Sequence, residues 1–201
     1  MKFKGLFLIL AVFLFSFIAC NAVSAAGHTV VWQDNRDGGV NSHLYYKNTG
    51  TGKGGRVTNT DSDQWYPSIS GNIVVWTDNR NGGSNYHLYY KNLATGKGGR
   101  VTNTDSNQVN PKISGNIIVW NDNRNGGSNY HIYYKNLFTG TGGRVSPTDS
   151  DQGGQSISGT LVVWNDNRDG SNYHIYSKNL ATGTLNRISN TDAMQGNPVI
   201  N

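Results

Sequence analysis

Two residue sets recur along this chain in types and spacing that chemistry can use. Asp34, Asp78, Asp122 and Asp166 each stand two residues before an arginine, namely Arg36, Arg80, Arg124 and Arg168. His43, His87, His131 and His174 recur in step with them. A ring of carboxylate–guanidinium pairs would grip a polar ligand. A ring of imidazoles would hold a metal if their nitrogens converged to about 2.0–2.1 Å from one ion. Each set also has a plainer role. Aspartate caps loop amides and arginine braces a neighbouring loop, while the histidines fall on the third strand of each repeat, where packing or hydrogen bonding is expected. Repetition speaks for the plainer roles. An active site needs different groups with separated pKa values, and near-identical copies supply the same groups each time. Glutamate is absent, Cys20 is the one cysteine, and no G-x-S-x-G occurs. Asp169-Gly170 after Asn165 and Asn167 faintly resembles a calcium loop, but Asn81 and Asn125 replace the acid in the middle copies and no bidentate glutamate follows. Asp61, Asp105, Asp149 and Asp192 sit in T-D-S-like turns that they are expected to cap. The expectation is a chain with no enzymatic activity, no metal and no cofactor.

Differences between the copies are more informative. Before each first strand the chain reads Asp63-Gln-Trp-Tyr66, Asn107-Gln-Val-Asn110, Asp151-Gln-Gly-Gly154 and Met194-Gln-Gly-Asn197. Gln64, Gln108, Gln152 and Gln195 persist, whereas Trp65 and Tyr66 occur once. An aromatic pair beside amides suits a sugar, whose ring stacks and whose hydroxyls take hydrogen bonds; the alternative is that Trp65 fills a gap between repeats. With Arg80, Arg124, Tyr86 and Tyr130 from the long loops, these residues make the candidate ligand-binding set.

The elements that must position them follow from the period. Trp32, Trp76, Trp120 and Trp164 recur at a fixed spacing of 44 residues, a period that marks propellers and related arrays. One copy reads as four strands: Pro67–Ser70, Ile73–Asp78, His87–Asn92 and Arg100–Asn103, with Gly71-Asn72 and Ala94-Thr95-Gly96 as tight turns. The long polar connections, 79–86 and 104–110, share the opposite rim, where exposed loops commonly carry binding. The third strand is apolar-bodied on both faces, as radially packed blades require. His28 opens directly in a second strand and Asn197–Asn201 matches a first strand, so the C-terminal strand is expected to pair with the N-terminal one. This predicts an all-β propeller of four blades, with repeats at about 28–66, 67–110, 111–154 and 155–201. Two chains sharing a larger ring, or a longer array, are the alternatives.

The phrase VVWTDNRNGGSNYHLYYKNLATGKGGRVT resembles the repeat of TolB-like (WD-repeat-like) β-propellers, as does the I-S-G-x-x-V-V-W lead-in at Ile69 to Trp76. Exported archaeal and bacterial cell-surface proteins carry such repeats. The resemblance covers residues 28–201, implies a binding or scaffold role, and carries over no catalytic residue. The chain departs from the family in its four repeats and in the histidine before the I-Y pair.

A basic start at Lys2 and Lys4, a short apolar run from Gly5 to Ala19 and the small residues Ala22 to Ala26 make residues 1–26 a secretory signal peptide. A lipid anchor through Cys20 is the alternative. The remaining chain, 27–201, suits one domain without disulfides and without a membrane span. Its charge is mild, +5 for the whole chain, and spread along every repeat, which speaks against nucleic acid. A secreted or cell-surface module is therefore expected, binding a glycan or a protein, with a homodimer possible in principle. A lectin with equivalent sites on the long-loop rim and a polysaccharide-processing enzyme are the alternative functions.

Overall fold

The computed structural model describes residues 27–36, 38–82, 84–125 and 128–201; the expected signal peptide, with Cys20, lies outside them. Fifteen strands form four antiparallel meanders, and no helix occurs among the described residues. The first sheet holds β1 (Thr29–Asp34), β2 (His43–Asn48) and β3 (Gly54–Arg56). The second holds β4 (Gln64–Ser70), β5 (Ile73–Asp78), β6 (His87–Asn92) and β7 (Gly98–Arg100). The third holds β8 (Gln108–Ser114), β9 (Ile117–Asp122), β10 (His131–Asn136) and β11 (Gly142–Arg144). The fourth holds β12 (Gln152–Ser158), β13 (Leu161–Asp166), β14 (His174–Asn179) and β15 (Leu185–Arg187).

The predicted second and third strands of the second sheet match the observed ones. Its first strand instead begins three residues early, at Gln64, inside what reads as a polar loop. Its fourth strand is Gly98–Arg100 rather than Arg100–Asn103. Backbone pairing with a long neighbour carries both strands into glycine- and amide-rich sequence that local propensity would leave as loop, and β7 ends at Arg100, the last residue paired with β6.

Neighbouring sheets pack face to face over apolar clusters. Val75, Leu88 and Val101 of the second sheet meet Ile113, Ile118, Trp120 and Tyr133 of the third. Val119, Ile132 and Val145 of the third meet Ile157, Val162, Trp164 and Tyr176 of the fourth in the same way. β5 and β9 are therefore buried on both faces, while β1 in the terminal sheet leaves Val30 about half exposed, at 48%. Full burial of such side chains stabilises by about 1.5–3 kcal/mol each. Lysines staple the sheets further: Lys91, Lys135 and Lys178 each donate from Nζ at 2.7 Å to the carbonyl of Val57, Val101 and Val145 in the preceding sheet. The first strands pack against one another, β4 on β8 and β8 on β12, whereas the outer strands contribute little to these interfaces. The sheets thus converge on their first strands and splay outward like blades.

The expected closure is not formed. Asn197–Asn201 is not a strand, and among the described residues only β2 pairs with β1. Instead, Gln195 N donates to Tyr173 O at 2.8 Å, as Gln108 N does to Tyr86 O, and Ile200 N reaches Ser156 Oγ at 3.4 Å. The tail enters as another first strand would, against β12. Its register follows the preceding sheet, because that is where its hydrogen-bond partners lie.

Candidate functional site

The Asp-Asn-Arg phrase ends each second strand and turns inward. Asp122 has a fully buried carboxylate that accepts from Trp120 Nε1 at 2.9 Å, Arg124 N at 2.9 Å and Ser106 Oγ at 2.7 Å. Arg124 pairs with it and lies 3.9 Å over the Tyr133 ring. Asp78 with Arg80 and Asp166 with Arg168 repeat the arrangement. Burial raises the pKa of all three carboxyls, but the arginine, tryptophan and serine donors outweigh it and hold each below the ordinary range. Asp34 in the terminal sheet is lowered to about 2, chiefly by its hydrogen bond from Arg36. With no free face on the buried carboxylates, these groups form a brace.

Each histidine pairs across its own sheet with that aspartate's position, for example His87 with Asp78 and His131 with Asp122, so the four are dispersed over four sheets. Burial pushes His87 and His131 below the ordinary imidazole pKa and keeps them neutral. Among the described residues no three His, Cys, Asp or Glu side chains are grouped to hold a metal.

The glutamines are loop bolts. Gln64 is fully buried; its Nε2 donates to Thr58 Oγ1 and Thr60 Oγ1, both at 2.6 Å, and its Oε1 accepts Leu44 N at 3.2 Å. Gln108 donates to Thr102, Thr104 and Asp122, Gln152 Oε1 accepts Ile132 N at 3.1 Å, and Gln195 donates to Thr191 at 2.6 Å. Gln64 and Gln152 thereby tie the first strand of one blade to the third strand of the blade before it, and Gln64 and Gln108 line none of the cavities described below.

A bulge just after each glutamine builds the candidate site. The β4–β5 ladder pairs Trp65 with Thr77 and resumes at Ser68 with Val75, skipping Tyr66 and Pro67. The same break skips Asn110 and Pro111 in β8, and Gly154 and Gln155 in β12. Tyr66, Asn110, Gly154 and Asn197 share a left-handed backbone, with φ of 52, 55, 58 and 52°. A bulge leaves its extra residue unpaired and bends the strand, and proline, lacking an N–H, leaves no orphan donor there. Glycine and asparagine take this conformation readily; a tyrosine in it costs about 1–2 kcal/mol. Such strain concentrates at ligand sites. Tyr66 is also 57% exposed.

Between successive blades the bulges flank cavities at the long-loop end of the first strands. One of about 500 Å³ is lined by Gln33, Trp65, Tyr66, Thr77, Tyr86 and Val109. Trp65 and Tyr86 meet edge to face with ring centres 5.0 Å apart. The next, about 330 Å³, shares Tyr66 and Val109 and adds Asn110, Asn121, Tyr130, Asp151 and Gln152. There Asp151 accepts Tyr130 N at 2.9 Å and Tyr173 Oη at 2.7 Å, and this hydrogen bond is the main cause that raises the Tyr173 pKa to about 12. The structure thus gathers Trp65, Tyr66 and Tyr86, then Tyr66, Tyr130 and Gln152. Arg80 lines a separate rim cavity of about 680 Å³ with Asn41, Thr60, Asp61, Ser62 and Asn79, which holds no aromatic ring. Arg124 lines a smaller cleft beside Tyr133. Gln33, Thr77, Asn121 and Asp151 were not legible as site residues; the tyrosine–proline and asparagine–proline steps, which disfavour a helical conformation before them, were the available signal for the bulge.

No protein-family model matches the chain, and no curated protein matches its sequence. Solved structures do match. TolB from Acinetobacter baumannii aligns at 20% identity and a TM-score of 0.59, over 84% of this chain and 42% of that one. A TolB-type structure from Agrobacterium tumefaciens aligns at 16% identity and a TM-score of 0.61, over 79% of this chain and 60% of that one. Puromycin hydrolase aligns at 12% identity and a TM-score of 0.62, over 82% of this chain and 27% of that one. At these identities the likeness establishes a propeller-type arrangement of sheets. The chain spans 42% and 60% of the two TolB-type structures. The expectation that the chain is no enzyme is corrected here. The same arrangement forms part of a hydrolase, so repetition among blades is no argument against catalysis in this fold.

Proposed function

We propose that this chain is an exported, cell-surface propeller module that binds carbohydrate, with the sugar seated in the cavity between the first, second and third sheets. One observation carries this reading: three aromatic side chains, Trp65, Tyr66 and Tyr86, surround one cavity together with the polar groups of Gln33 and Thr77. Aromatic faces stack on the apolar face of a sugar ring, while a few fixed polar groups orient its hydroxyls. The strained, exposed Tyr66 supports it, since the equivalent positions carry the unstrained choices asparagine and glycine. Resemblance to the TolB-type repeat is in keeping with a binding module.

The test is a screen of soluble glycans and cell-wall polysaccharides, with calorimetric titration of any hit. One site per chain, weakened at least tenfold by Trp65→Ala with the melting transition kept, is expected; about 1.4 kcal/mol corresponds to that factor. Near four sites per chain would replace this reading with a lectin using the repeated rim. Cleavage of the bound glycan would replace it with a polysaccharide-processing enzyme, and no binding to any glycan would overturn it.

A further inference from the structure

Two departures from the repeat meet in one place. At the second position after the left-handed residue, Ser68 and Ser156 occupy β4 and β12 and Val199 the tail, but β8 carries Lys112. At the first position after it, Pro67, Pro111 and Pro198 recur, but the fourth copy carries Gln155. Proline is the default at the first of these positions and an uncharged residue at the second, so Gln155 and Lys112 are each local to their copy. Lys112 and Gln155 nevertheless line the same cavity of about 350 Å³, between β8, β12 and the tail, with Asn110, Ser156 and Asn197.

The two exceptions are chemically complementary. Lys112 is half-buried and has no carboxylate partner among the described residues, and no acidic side chain lines this cavity. A partly shielded ammonium with no counter-charge beside it favours an anion. Gln155 is buried; its Nε2 donates to Asn110 O at 2.6 Å, which fixes the orientation of the amide. Its Oε1 is then left as a buried acceptor with no protein partner, as are those of Gln108 and Gln195, but Gln155 is the one of these that lines the cavity shared with Lys112. The cavity thus offers one cation and one unmet acceptor, and a molecule carrying both a carboxylate and a hydroxyl satisfies them together. It shares Asn110 with the neighbouring 330 Å³ cavity, which shares Tyr66 with the aromatic one. The three cavities therefore lie in series.

We infer that this third cavity is a subsite for an acidic sugar unit, with Lys112 pairing its carboxylate and Gln155 Oε1 accepting from its hydroxyl, so that the ligand is a linear uronate-containing glycan. The inference rests on the carbohydrate reading above and deepens it.

The test titrates the protein with a linear trimer of galacturonic acid and with the neutral galactose trimer, at low and high salt. The variant is Lys112→Ser, which restores the residue that β4 and β12 already carry and so leaves the fold intact. The acidic trimer is expected to bind about tenfold more tightly than the neutral one. That preference should shrink with salt and vanish in Lys112→Ser, with neutral-trimer binding unchanged. Equal binding of both trimers overturns the acidic subsite and leaves the carbohydrate reading standing. A preference that survives Lys112→Ser overturns the assignment to this cavity. If neither trimer binds while a different neutral glycan does, the acidic subsite alone falls; if no glycan binds, both readings fall.

Discussion

Replacing Asp122 with asparagine tests whether the Asp-Asn-Arg phrase is a brace or a grip. The carboxylate is fully buried and accepts from Trp120, Ser106 and both the backbone and the side chain of Arg124. Asparagine removes the charge and puts an NH2 group among those donors. Breaking a buried pair from one side costs about 3–5 kcal/mol. The Arg124 side chain is 26% exposed, so water recovers part of its solvation and about 2–4 kcal/mol is the expected loss. For a domain of this size, that lowers the melting temperature by roughly 5–15 °C. Urea unfolding of Asp122→Asn and Asp34→Asn at neutral pH makes the comparison, because the Asp34–Arg36 pair is open to solvent and its loss should cost far less. The pH dependence has a defined sign. The folded pKa of Asp122 lies below its unfolded value. Its contribution is therefore complete above about pH 4 and disappears as pH falls through the lowered folded value, so the variant and the parent should converge in acid. Equal stability of Asp122→Asn and the parent at neutral pH would refute the brace. If glycan binding were lost with the melt unchanged, the ring of charged pairs would be a ligand grip after all.

Further expectations concern the staples and the bulge. Lys135→Met should cost about 1–2 kcal/mol in urea unfolding, because it leaves the Val101 carbonyl without its cross-sheet donor. Gly154→Ala should destabilise by at least about 1–2 kcal/mol; its φ is +58° and the added Cβ would sit 2.2 Å from Asn165 Oδ1. Tyr66→Asn adopts the residue used at positions 110 and 197, so relief of strain should offset the lost ring burial to within about 1 kcal/mol. The same variant should weaken glycan binding by an order of magnitude, and unchanged affinity in the titration would remove Tyr66 from the site.

Much of this molecule is readable from one copy of the repeat. The W-x-D-N-R phrase, the hairpin with Gly96 at a φ of 72° and the strands Ile73–Asp78 and His87–Asn92 depend on contacts within a few residues or across one turn. So does the brace, since the aspartate and its arginine and tryptophan partners are all two residues apart. The site is less readable because its members belong to different blades. Trp65 shares a cavity with Gln33 and Val109, and Lys112 shares one with Gln155, only through the placement of one sheet against the next. Persistence has a structural reason as well: Gln64, Gln108 and Gln152 are buried and bonded to the loop before them, while Gln152 also lines a cavity.

The sequence by itself determined the period, the all-β class and the order of strands, because alternation along a strand and glycine at a positive φ are local demands. Tertiary structure alone decided that the bulge turns Tyr66 outward, that the tail docks on β12 rather than on β1, and which side chains share a cavity. The reason is that the angle between packed sheets is set by the summed fit of their apolar faces, the clusters around Trp76, Trp120 and Trp164, and no single repeat contains both sides of that fit.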